Sequence, residues 1–187
     1  MKRLIGWTAI LVALAISAAP NLLSAQTHQP YAGLESRPIK ALSDEQIADL
    51  RAGRGMGLAL PAELNGYPGP VHVLELAESI QLSDAQRAKV QQLFEAMKTE
   101  AVSLGEKLIT LERELDRQFA GRTVTEASLA ASTRTIGATQ AELRAAHLKY
   151  HLATLQVLTP TQSHRYIELR GYAGGAHGQH QQGKHRH

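Results

Sequence analysis

The apolar side chains of this chain fall into two long stretches with helical spacing. Between Asp84 and Ala120, Val90, Phe94, Met97, Ala101, Leu104, Leu108, Leu111 and Leu115 recur at intervals of three and four. Residues so spaced share one face of an α-helix, so the stretch predicts a single rod. No proline interrupts it, Gly105 is the only glycine inside, and Gly121 marks its end. At 1.5 Å per residue it spans roughly 55 Å. A second rod is predicted over 126–157. There Leu129, Ile136, Leu143, Tyr150 and Val157 recur every seven residues, with the small residues Ser132, Thr139, Ala146 and Ala153 between them. A large stripe beside a small one lets two helices approach closely. The turn between the rods is short, which forces them antiparallel.

Shorter elements flank this pair, and their starts are marked by capping signals. A Ser or Thr accepts a hydrogen bond from the third helical N–H, while a Gln or Glu at that position reaches back to the cap. Ser43 with Gln46 opens a short helix over 44–51. Ser83 with Gln86 opens the first rod, and Thr123 with Glu126 is read as the cap of the second. Thr159, Pro160 and Gln162 open a last helix that ends near Arg170, with proline in its favoured first position. A further short helix is predicted over 71–80. Residues 53–70 hold five glycines and three prolines and read as an irregular connector, with Leu58, Leu60 and Leu64 packing onto the helices. Residues 26–42 contain Pro30 and Pro38, show no period, and read as an extended, mobile lead-in. Residues 173–187 are rich in Gly, Gln and His, have no apolar face to bury, and are predicted to be disordered. The expected fold class is all-α: a long antiparallel helical hairpin with short flanking helices. Two thin rods bury little surface alone, so a homodimer that completes the core is expected.

The first 25 residues change the setting. Lys2 and Arg3 precede an uncharged apolar run from Leu4 to Ala19, Pro20 breaks it, and Leu23-Ser24-Ala25 resembles a cleavage site. This is the layout of a secretory signal over 1–25, too short to span a bilayer comfortably. The expected location is the periplasm, with no transmembrane span after cleavage. Lys2 and Arg3 leave with the signal, so the formal net charge of +3 falls towards neutrality. With aromatic residues at 4%, that charge argues against a nucleic-acid partner. The chain has no Cys. Disulfides and thiolate metal sites are therefore excluded, leaving His, Met and carboxylates as donors. No phosphate-binding glycine loop or nucleophile elbow is present. The residue after His147 is Leu148, not the Glu of a zinc-protease helix. A non-enzymatic binding protein is expected.

Two cap motifs carry a family resemblance. Leu158, Thr159 and Gln162 form an intact Leu-Thr-x-x-Gln motif, and Leu82, Ser83 and Gln86 form a second copy with Ser in place of Thr. In an exported, Cys-free, helical chain, this pair resembles the Spy/CpxP group of periplasmic stress proteins over residues 43–172. It is also similar to the periplasmic heavy-metal sensor and resistance proteins. The resemblance implies a hooked hairpin that dimerises into a curved cradle. It implies an ATP-independent chaperone for unfolded envelope proteins, a stress regulator docking on a membrane-bound sensor, or a metal-responsive protein.

Two histidine constellations bear on that choice. His147 and His151 stand four apart, so both imidazoles share a helix face and can take one ion. Two ligands make a weak site. His72 and Glu75, three apart, are the further donors expected, with Glu78 close by. Met56 lies in the connector, and the first short helix has no His, unlike the metal sensors this chain resembles. His177, His180, His185 and His187 form the second constellation, in the predicted tail. Such a segment wraps zinc, copper or nickel ions to some degree. The expected client-binding surface draws on the connector leucines, Phe94, Met97 and Leu152.

Overall fold

The computed structural model describes residues 30–172. The predicted signal over 1–25 and the tail over 173–187, with His177, His180, His185 and His187, lie outside the described residues. The chain divides into two units, Met1–Ala32 and Gly33–His187, of which the first is described only at residues 30–32. The second is all-α. After a 3-10 turn at Leu34–Ser36 come α1 (Asp44–Ala52), α2 (Leu60–Glu63), α3 (Pro70–Glu75), α4 (Asp84–Ala120), α5 (Glu126–Leu155) and α6 (Pro160–Leu169). No strand occurs among the described residues, and no described helix is long and apolar enough to cross a membrane.

The two long helices α4 and α5 pack along one another as the antiparallel hairpin the periodicity predicts. On α5 the large residues Ile136 and Leu143 and the small residues Thr139 and Ala146 are all buried, so the middle of both stripes faces inward, while Leu129 near the hairpin tip stands 37% exposed. Gly105 has a packing reason. A Cβ there would sit 2.5 Å from the Leu50 carbonyl oxygen, so α1 crosses α4 where only glycine leaves room for its backbone.

Two apolar clusters divide the body. One gathers Leu50 of α1 with Ala101, Leu108 and Ile109 of α4 and Ile136 and Leu143 of α5. The other gathers Val73, Ile80, Val90, Leu158 and Tyr166 and ties α3 and α6 to the base of the hairpin. Ile39 and Leu42 belong to the first cluster and are buried, at 1% and 9% exposure. The segment from Gly33 to Leu42 is therefore not the extended, mobile lead-in expected of 26–42. Lys40 also bonds to Asp116 of α4 through its backbone N–H and its Nζ. Two apolar side chains three apart are too few to register as a period. They nonetheless pack against the hairpin and cover part of it.

Other boundaries shift for local reasons. Ser128 sits at the third position of α5 and its cap is Thr125, not Thr123. Thr123 instead donates to the Gln118 carbonyl. The helix expected over 71–80 starts at Pro70 and ends at Glu75, after which the chain tightens through turns to Gln81, whose φ is +54°. Within the connector, α2 forms on Pro61 in its first turn, and no signal in the glycine-rich sequence announced it. Leu58 packs onto the first cluster, but Leu60 and Leu64 stand 52% and 58% exposed, against expectation.

Candidate functional site

The two cap motifs meet. Ser83 and Thr159 each accept from the N–H of their glutamine, Gln86 and Gln162, and each glutamine Oε1 accepts from the N–H of its cap. The glutamines also bond to each other. Gln86 Nε2 donates to Gln162 Oε1 at 2.8 Å, and Gln162 Nε2 donates to Gln86 Oε1 at 3.0 Å. Each Nε2 makes a second bond, to the carbonyl just before the other motif's leucine: Val157 at 2.9 Å and Gln81 at 3.1 Å. Leu158 is buried in the second cluster and Leu82 packs against it. The junction is thus a near-symmetric pair of caps with both amides satisfied, and its role is to hold α4 and α6 together. The spacing gave the caps; the amide pairing needed the fold.

The second polar centre is open. A cavity of about 520 Å³ lies between the connector and the hairpin, walled by Phe94 and Met97 of α4 and His147 and His151 of α5. These residues fall between the two apolar clusters along both rods. The connector and α3 close the other side with Gly55, Met56, Leu60, Glu63, His72 and Glu75. The four expected donors, His147, His151, His72 and Glu75, therefore line one cavity. They do not converge on one point, since no three His, Asp or Glu side chains among the described residues are placed to hold a metal ion.

His147 is 3% exposed, and its Nε2 has no hydrogen-bond partner. Burial, and secondly the neighbouring His151, push its pKa below the usual imidazole value, so the ring is neutral at neutral pH. His151 is also buried, where a surface position was the plain alternative. Its Nδ1 lies 2.7 Å from the Tyr67 carbonyl oxygen, which can only accept, so Nδ1 carries the proton. In the neutral ring Nε2 then holds a free lone pair. A backbone carbonyl on the far nitrogen is the arrangement that orients a ligating histidine. Gly69 makes room for this ring, because a Cβ there would lie 2.8 Å from His151 Cε1. His72 Nδ1 sits 3.0 Å from Glu75 Oε2, and this pair is half-exposed at the rim.

Glu63 is the site residue the sequence reading missed. It is buried at the back of the cavity. Its Oε1 accepts from the hydroxyl of Tyr166 and, at 3.3 Å, from that of Tyr172, and Arg170 Nε lies 3.6 Å away. Its Oε2 accepts from the Gly69 N–H at 3.1 Å and lies 3.6 Å from His151 Nδ1. Burial and then the bond to Glu63 raise the Tyr166 pKa far above its ordinary value, so the hydroxyl remains a donor. One carboxyl group thus joins the connector, α5 and the last helix. Nothing in the sequence around residue 63 marks it, since a lone Glu in a Gly/Pro-rich stretch reads as a solvated residue. No family model, curated protein or solved structure matches this chain.

Proposed function

We propose that the protein is an exported, periplasmic ATP-independent chaperone of the envelope-stress kind, which holds unfolded clients on the connector face. One observation carries this reading. Met56, Leu60, Leu64 and Tyr67 all stand exposed on a single short stretch of connector. Isolated surface leucines need no explanation, but a run of apolar side chains in one irregular segment is the kind of surface that marks a binding site. Glu63 anchors that segment from beneath, so the apolar side chains are presented on a fixed base. The test is suppression of aggregation of a denatured client without ATP. Suppression that weakens in a Leu60→Ser/Leu64→Ser variant is the expected result; no suppression at several-fold molar excess overturns it. A homodimer belongs to the same proposal, since Phe119, Leu129 and Leu152 leave apolar surface on the hairpin. Sedimentation at micromolar concentration tests it, and a stable monomer contradicts it.

A second reading is metal binding in response to envelope stress, favoured by the shared cavity of His147, His151, His72 and Glu75. Calorimetry with zinc or copper on the wild type and on His147→Ala/His151→Ala tests it. An unchanged isotherm removes the cavity as the site, and loss on deleting residues 174–187 alone assigns binding to the tail.

A further inference from the structure

The cavity adjoins the connector face, since Met56 and Leu60, two of that face's exposed apolar residues, also line it. Much of the remaining lining is apolar: Met97 and Pro70 are buried, and Phe94 and Val71 are half-buried. A volume of about 520 Å³ lies within the range of pockets that take up a small molecule or a large side chain. Set in this lining is one polar group with no bond to the fold. His147 is 3% exposed and its Nε2 has no partner. Its other ring nitrogen borders open space. A Cβ built on Gly55 would lie 3.6 Å from His147 Nδ1 and 3.7 Å from Cε1, and apart from the flanking residues it would meet no other heavy atom within 4 Å. Burial, and secondly His151, lower the pKa of His147, so the ring is neutral, with one nitrogen donating and the other accepting. No bond at Nε2 fixes which is which.

We infer that the cavity is a specificity pocket of the connector face and takes the side chain of a client tyrosine, its ring among Phe94, Met97 and Pro70 and its hydroxyl on the His147 imidazole. This rests on the chaperone reading and names the residue class that the face prefers. The apolar lining favours an uncharged group, because a charged one would give up its hydration there. A phenylalanine or leucine would fill the space but cover the imidazole without bonding to it, and a covered, unpaired polar group costs free energy. Serine and threonine are too short to carry a hydroxyl past the rim to so buried a ring. The indole N–H of tryptophan only donates, whereas a phenolic hydroxyl donates and accepts and so meets either tautomer of His147. Tyrosine also supplies a large contact area while ordering only two side-chain torsions.

N-acetyl-tyrosinamide and N-acetyl-phenylalaninamide, which differ only in the hydroxyl, are the probes. Each is titrated into the full chain, labelled with ¹⁵N and ¹³C, and followed at the His147 ring and the amides of Gly55 and Met97. Tyrosinamide is expected to shift these signals and to bind at least about fivefold more tightly than phenylalaninamide. Gly55 does not have the left-handed backbone that opposes a side chain, so Gly55→Ala suits the fold and sets a methyl beside Nδ1. That variant and His147→Leu are each expected to reduce the preference below about twofold. Helicity by circular dichroism confirms that both are folded. Equal affinity for the two probes, or a preference that survives both variants, overturns the pocket. Aggregation suppression is measured in parallel on a denatured client and on the same client with phenylalanine in place of each tyrosine, and the second is expected to be held less well. Equal suppression of both clients, with the probes bound equally, overturns the pocket and leaves the chaperone reading standing. No suppression of either client, with tyrosinamide still preferred, overturns the chaperone reading and with it the client as the pocket's occupant.

Discussion

The glutamine junction and the histidine cavity are both polar centres set against α4, and they are opposites in one respect. At the junction both amides are satisfied, each glutamine meeting its own cap, its counterpart and a facing carbonyl. In the cavity the imidazole of His147 is more deeply buried than either glutamine, yet it has a nitrogen with nothing to bond. A closed network specifies structure, because any change strands a partner. An open one leaves bonding capacity for something that is not part of the fold. The difference teaches that burial and polarity alone do not separate a closed structural centre from an open one; the state of each polar atom's bonding does.

The comparison can be broken at several points. The largest effect is expected at Glu63, which belongs to the cavity wall but behaves as a closed centre. Glu63→Ala strands the hydroxyls of Tyr166 and Tyr172 and the Gly69 N–H and removes the carboxylate beside Arg170, and should cost about 3 kcal/mol in urea unfolding. A loss below 1 kcal/mol would mean that water replaces it and that the connector is not anchored there. Next comes Gln86→Ala, expected to cost about 2 kcal/mol, because it removes a cap contact and leaves Gln162 half-paired. The double variant Gln86→Ala/Gln162→Ala should lose less than the sum of the singles by about 1 kcal/mol, as residues in one network do. Strict additivity in that cycle would show the two motifs acting as independent caps. Ser83→Ala tests the cap alone and is expected to cost about 1 kcal/mol. The smallest stability effect is at His147. In metal-free protein His147→Leu should be neutral to slightly stabilising, since an unbonded polar atom is replaced by an apolar group of similar size. A loss of more than about 1 kcal/mol there would show that the ring already has a partner, and the contrast with the junction would fall.

The sequence was unevenly informative about these regions. Both ends of α4 are legible because a capping serine and a closing glycine bracket an unbroken apolar stripe. His147 and His151 are legible because a four-residue spacing on a helix fixes a shared face whatever packs against it. The other wall of the cavity is not legible in that way. Met56, Glu63 and Gly69 sit in a segment whose conformation depends on what it covers, and α2 is only four residues long. Met56 stands apart from any helix in sequence and shares a cavity wall with the histidines only because the connector folds over them. Ile39 and Leu42 carry no signal for the same reason, since a single apolar turn has no period. The long elements were set by local pattern, whereas the connector face was set by tertiary packing.

The connector face is the working part of the molecule in the chaperone reading, and its most direct test is a residue-resolved map of client contact. The full chain, labelled with ¹⁵N, is mixed with a permanently unfolded client and followed by amide chemical shift. Perturbations centred on Met56, Leu60, Leu64 and Tyr67, with the Gln86–Gln162 junction unmoved, are the predicted result. Perturbations confined to the hairpin tip around Phe119 and Leu129, or none at millimolar client, would contradict it.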